Sequence, residues 1–106
     1  ISPARIEELA AGHGAVARAA VLALPDARLG ERICLAYVAR GEQGLDAASV
    51  LKHLAAAGLS RYEMPEFTLA LAEMPLMANG KIDKPLLVRQ IGAGTLAAVP
   101  VGTAEG

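Results

Sequence analysis

Aromatic side chains are almost missing from this sequence: Phe67, Tyr37 and Tyr62 are the whole set in 106 residues, and there is no Trp. A surface that stacks single-stranded bases needs several such rings, so nucleic-acid binding of that kind is disfavoured. An excess of one charge is missing too. Ten basic residues face eleven acidic ones, a formal net charge of -1, and no global field steers the domain to DNA or an anionic membrane. The single cysteine, Cys34, forms no internal disulfide, and no Cys and His cluster has metal-ligand spacing. No metal is therefore expected, and a reducing, cytoplasmic setting is the natural one. No apolar run approaches the roughly 20 residues that span a bilayer, so membrane insertion is not expected. The chain opens on Ile1 without Met and reads as a piece cut from a longer one.

What is present is apolar and mostly aliphatic. Hydrophobic residues make up 54% of the chain, enough for one modest core without staples. Ser2 and Pro3 predict the start of a helix, with Ile1 and Ile6 placed as a hydrophobic staple, and Gly12-His13-Gly14 stops it. From Ala15 to Leu24 only Arg18 interrupts an apolar run, and Arg32 to Arg40 repeats the pattern around Cys34 and Tyr37. Such uniform runs predict strands buried on both faces. Asp46 caps a helix to about Ala57, with Ala47, Val50, Leu51 and Leu54 on one stripe and Gly58 at the stop. A third strand, Glu66 to Ala72, places Phe67, Leu69 and Leu71 on one side. Asn79-Gly80 then makes a tight turn, and Pro85 to Ile91 a last short helix.

The expected fold is α+β: a small sandwich with a central, mainly antiparallel three-stranded sheet flanked by helices, plus a short hairpin carrying Lys81. Residues 1–91 form the domain. Residues 92–106, without period and rich in small residues, are expected to be a disordered tail.

Conventional catalytic sets cannot be assembled from these residues. Ser2, Ser49 and Ser60 lie in no nucleophile elbow, and His13 and His53 are forty positions apart. Neither histidine is given a role, and Cys34 in a buried strand behaves as a small hydrophobe. One segment stands out, Met74-Pro75-Leu76-Met77-Ala78-Asn79-Gly80-Lys81-Ile82-Asp83-Lys84. A lysine directly after an Asn-Gly turn projects a compact, movable charge that suits a phosphate or a carboxylate. By turn chemistry alone the plainer reading, a solvated turn lysine, is favoured.

That segment resembles the C-terminal signature of the adenylate-forming superfamily, the acyl- and aryl-CoA synthetases, peptide-synthetase adenylation domains and luciferases. Pro75, Gly80, Lys81, Ile82 and Lys84 match its Pro-x-x-x-x-Gly-Lys-Ile-x-[Arg/Lys] pattern. Other stretches agree in order: Ile1-Ser-Pro-Ala-Arg-Ile-Glu-Glu, the strand from Ala15-Val16 to Ala20-Val21, the turn and second strand of Leu29-Gly30-Glu31 and Ala36-Tyr37-Val38, and Tyr62-Glu63-Met64-Pro65. Departures are Arg5, Gly14, Glu63, Lys84 and Pro85.

The resemblance implies the C-terminal lid of an acyl- or aryl-CoA ligase. In that chemistry a carboxylate attacks the α-phosphate of ATP, carried with Mg2+, and the acyl-adenylate then passes to coenzyme A. It places the catalytic lysine at Lys81, supported by Pro75, Gly80, Ile82 and Lys84. The lid rotates between two half-reactions on a hinge upstream of Ile1. ATP and coenzyme A are held mainly by a large N-terminal domain, so the fragment alone is expected to be inactive and to bind no cofactor itself. Two alternatives stay open: a lid that serves a carrier protein, and a non-catalytic module with the same fold.

Overall fold

The computed structural model describes residues 2–41 and 44–101. Seven elements follow in order: α1 (Pro3–Ala11), β1 (Val16–Asp26), β2 (Gly30–Ala39), α2 (Ala47–Ala56), β3 (Phe67–Leu71), α3 (Lys84–Gly92) and β4 (Val99–Pro100). The starts of α1 and α2 are those that the sequence marks, while α3 begins one residue before Pro85, at Lys84, with Asp83 as its cap. Ser2 accepts a hydrogen bond from the Arg5 N–H and Asp46 one from the Ser49 N–H, which satisfies donors that the first turn leaves open. Pro3 fits the first turn of α1, where no N–H is missed. Ile1, the other half of the expected staple, lies outside the described residues.

The end of α2 shows why Gly58 is there. Gly58 N–H donates to the Ala55 carbonyl and Leu59 N–H to the Leu54 carbonyl, with Gly58 at φ +102°. This double closure needs a left-handed residue at that point, and Leu54 and Leu59 are both buried in one core.

The sheet runs in the order β1-β2-β3-β4. It is a dividing wall. Ile6 and Ala10 of α1, Val50 and Leu54 of α2 and Val16, Val21, Leu35 and Tyr37 of the strands fill one side. Ala20, Leu22, Leu24, Cys34, Ala36, Leu69, Met74 and Leu87 fill the other, beneath α3. Successive strand residues point to opposite faces, so β1 and β2 supply both cores at once, which is why their runs are uniformly apolar. A register shift between Val16 and Arg18 turns Val16 into the first core.

The α+β class stands as expected, with two differences in the sheet. β1 and β2 are antiparallel, but β2 and β3 are parallel, from Cys34 opposite Phe67 to Val38 opposite Leu71. The chain between them crosses over through α2, and a crossover returns a strand in the same direction. The second difference is a fourth strand. Val99 and Pro100 pair antiparallel with Thr68 and Phe67, and Val101 N–H donates to the Glu66 carbonyl.

Residues 93–101 are therefore not a loose tail. Gly94, at φ +83°, closes α3 as Gly58 closes α2, with Thr95 N–H donating to the Gln90 carbonyl. Leu96 and Ala98 then pack against the second core. Residues 102–106 lie outside the described residues.

Candidate active-site lysine and its hairpin

Between β3 and α3 the chain makes one excursion from the sheet. Leu76 and Ile82 pair as an isolated antiparallel bridge, Met77 N–H donates to the Lys81 carbonyl at 2.7 Å, and Gly80 N–H donates to the Met77 carbonyl at 2.9 Å. Ala78, Asn79 and Gly80 are thus a three-residue hairpin loop, with the third residue left-handed at φ +88°. A Cβ at Gly80 would meet nothing within 4 Å, so glycine is required by backbone conformation and not by space. The Asn79 carboxamide oxygen accepts the Lys81 N–H at 3.0 Å, which locks the turn from its own side chain.

The base of the hairpin is as well fixed as its tip. Asp83 N–H donates to the Pro75 carbonyl at 2.8 Å, and the Asp83 carboxylate accepts the Leu86 N–H as the cap of α3. Ile82 packs against the core beneath α3. Lys81 projects from this frame exposed, and among the described residues its ammonium has no hydrogen-bond or ion-pair partner. Leu76 and Met77 on the opposite limb are 47% and 39% exposed, large apolar side chains beside the free charge.

Of the residues that the sequence pointed to, Pro75, Gly80 and Ile82 are part of this frame, each by different means. Pro75 lends a carbonyl, Gly80 a conformation and Ile82 an anchor in the core. Lys84 is held elsewhere: its Nζ lies 2.6 Å from Glu7 Oε2 on α1. Glu7 was legible only as part of a helix motif, since its partner is 77 positions away.

The remaining candidates are structural. Cys34 is buried, and desolvation pushes its thiol up to about 12, so it carries no thiolate near neutral pH. His13 Nδ1 accepts the Ala15 N–H at 3.0 Å, which leaves Nε2 to donate to Ser49 Oγ at 2.9 Å. Ser49 therefore gains no base. His53 Nε2 donates to the Leu9 carbonyl at 3.0 Å, and the two imidazoles meet edge to face at 5.2 Å. Together they tie the end of α1 to α2. Among the described residues no three His, Cys, Asp or Glu side chains converge as a metal site, and no helix is long and apolar enough to cross a membrane.

What this arrangement can do chemically is narrow: it presents, on a hairpin fixed at both ends, a cation that has no partner among the described residues. The AMP-binding enzyme C-terminal domain family matches residues 5–81, ending on that lysine. The chain is 36% identical over 95 residues to a salicyl-AMP ligase / salicyl-S-ArCP synthetase of Mycobacterium tuberculosis, covering 90% of this chain and 17% of that protein. It is 40% identical over 87 residues to a salicylyl-CoA synthase / salicylate adenylyltransferase of a Streptomyces species, covering 82% and 16%. Its structure superposes on that of apo MbtA from Mycobacterium smegmatis with a TM-score of 0.75 at 37% identity, covering 84% of this chain and 17% of that one. The chain thus spans about a sixth of the length of the curated relatives it matches.

Proposed function

The chain belongs to the AMP-binding enzyme C-terminal domain family, and from that premise we propose that it is the mobile lid of a cytoplasmic, ATP-dependent acid–thiol ligase. The observation that carries this reading is the Lys81 ammonium, exposed and, among the described residues, without a partner, on a hairpin fixed at tip and base. In the first half-reaction a carboxylate oxygen attacks the α-phosphorus of ATP, and the bond to pyrophosphate breaks. Negative charge gathers on the carboxylate and the α-phosphate oxygens as these bonds exchange. A lysine presented there offsets it, and Lys81, with no partner among the described residues to leave, comes with little reorganisation cost. Magnesium travels with ATP as substrate, held with the nucleotide mainly by the large N-terminal domain that completes the enzyme.

In the second half-reaction the lid rotates, Lys81 withdraws, and a thiolate attacks the acyl carbonyl with AMP as the leaving group. Coenzyme A is the acceptor in this reading. An aromatic acid is the first choice of substrate, because the relatives above are named for salicyl chemistry. A carrier protein is the second reading for the acceptor, favoured by the relative named as a salicyl-S-ArCP synthetase.

The test is ATP–pyrophosphate exchange by the full-length parent over hydroxybenzoic, benzoic, alicyclic and short-chain acids. It is followed by thioester formation with coenzyme A and with a pantetheinylated carrier protein. Exchange with an aromatic acid and a coenzyme A thioester is the expected result. A thioester on the carrier alone selects the second acceptor, and no exchange with any acid leaves only a non-catalytic module. Residues 1–106 by themselves are expected to show no exchange.

A further inference from the structure

α1 and α3 lie on opposite faces of the sheet, one over each core. They are nevertheless joined by one carboxylate. Glu7 leaves α1, reaches the free edge of β1 and accepts the Val21 N–H at 2.7 Å through Oε2. The same oxygen accepts the ammonium of Lys84, the first residue of α3, at 2.6 Å. β1 ends the sheet on this side, so Val21 has no neighbouring strand to bond to there, and Glu7 takes that place. The Glu7 and Lys84 side chains are 26% and 42% exposed, so the pair lies at the rim of the fold and not inside it.

Lys84 follows Lys81 by three residues. Ile82 and Asp83 between them are fixed by the bridge to Leu76 and by the bond to Pro75, so a pull on Lys84 is felt at the base of the hairpin. We infer that Glu7 is a positioning residue for Lys81, clamping α3 and the hairpin to α1 around the edge of the sheet. This rests on the adenylation reading above. A rim ion pair contributes little to folding. Placement matters far more, since a misplacement of about 1 Å in a reacting group can cost up to ~10²-fold in rate. The clamp therefore acts on Lys81 with little effect on whether the domain folds.

The experiment uses the full-length parent with Glu7→Gln, Lys84→Met, the double variant, Lys84→Arg and Lys81→Ala. Each is assayed for ATP–pyrophosphate exchange and for thioester formation from supplied acyl-adenylate. Glu7→Gln keeps an oxygen for Val21 and loses only the charge. Glu7→Gln and Lys84→Met are each expected to lower the exchange kcat about tenfold, within the range that misplacement explains, with the thioester step little changed. The double variant should be no worse than either single one, because both break the same link. Lys84→Arg, which keeps a cation, should recover most of the rate. Equal losses in both half-reactions would overturn the inference, since a purely structural role predicts them, and so would additive losses or unimpaired exchange. If Glu7→Gln fails to fold, Lys84→Met decides, because Glu7 still caps Val21 there. Exchange insensitive to Lys81→Ala would instead defeat the adenylation reading itself, a separate result.

Discussion

Two hairpins in this molecule solve the same local problem and set different neighbours around their cations. Between β1 and β2 the Asp26 carboxylate accepts the Arg28 and Leu29 N–H groups, and Gly30 follows in the left-handed region at φ +86°. Between β3 and α3 the Asn79 side chain accepts the Lys81 N–H, with Gly80 at φ +88°. Of the two cations at the first turn, Arg32 is spent: it lies 3.1 Å from Glu66 and 3.8 Å from Asp26, with its guanidinium 5.1 Å from the Phe67 ring, while Arg28 contributes its backbone N–H to the turn. Lys81 beside the second turn is left without a partner among the described residues. Turn chemistry alone does not separate a structural hairpin from a functional one.

Substituting the two glycines is the sharpest way to break this comparison. Gly30→Ala and Gly80→Ala each force a side chain into a left-handed conformation, which costs roughly 1–2 kcal/mol. Neither meets a steric obstacle within 4 Å. Thermal melting should show similar losses for both, while exchange by the full-length parent should fall further only for Gly80→Ala. Parallel falls in exchange would mean that the Lys81 hairpin is not special.

Arg32→Ala probes the spent charge. It removes two ion pairs at the surface and the contact with Phe67, and a loss of about 1 kcal/mol, shrinking as salt rises, is the expected result from denaturant titration. Lys81→Ala in the same titration should change stability by less, since nothing is broken.

The smallest effect concerns Asp26. Hydrogen bonds from the Leu29 and Arg28 N–H groups, with Arg32 nearby, hold its carboxyl below the usual range. A depressed folded pKa gives stability that is present above the unfolded value of about 4 and is lost as pH falls through the lower folded value. Asp26→Asn should flatten the acid limb of the stability curve below about pH 4. An unchanged limb would show that the turn does not depend on that charge.

Much of this was legible in the sequence for physical reasons. The runs around Val21 and Leu35 read as doubly buried strands because the wall they form has a core on each face. Asp46, Gly58 and Asn79-Gly80 named their own caps and turn because each has a local partner. What failed was non-local. The parallel pairing of β3 depended on where the α2 crossover returned the chain. β4 is two residues whose strand character comes from Phe67 and Thr68 opposite, not from Val99 and Pro100 themselves. Lys84 looked like a companion of Lys81, and its true partner, Glu7, lies near the other end of the chain.

The most direct test of the account is one variant and two assays: Lys81→Ala in the full-length parent, measured for ATP–pyrophosphate exchange and for thioester formation from supplied acyl-adenylate. Exchange should fall about 10²–10³-fold, typical of removing a group aimed at developing charge, with the thioester step close to wild type. Equal exchange in both proteins would contradict it and return Lys81 to the status of a solvated turn residue.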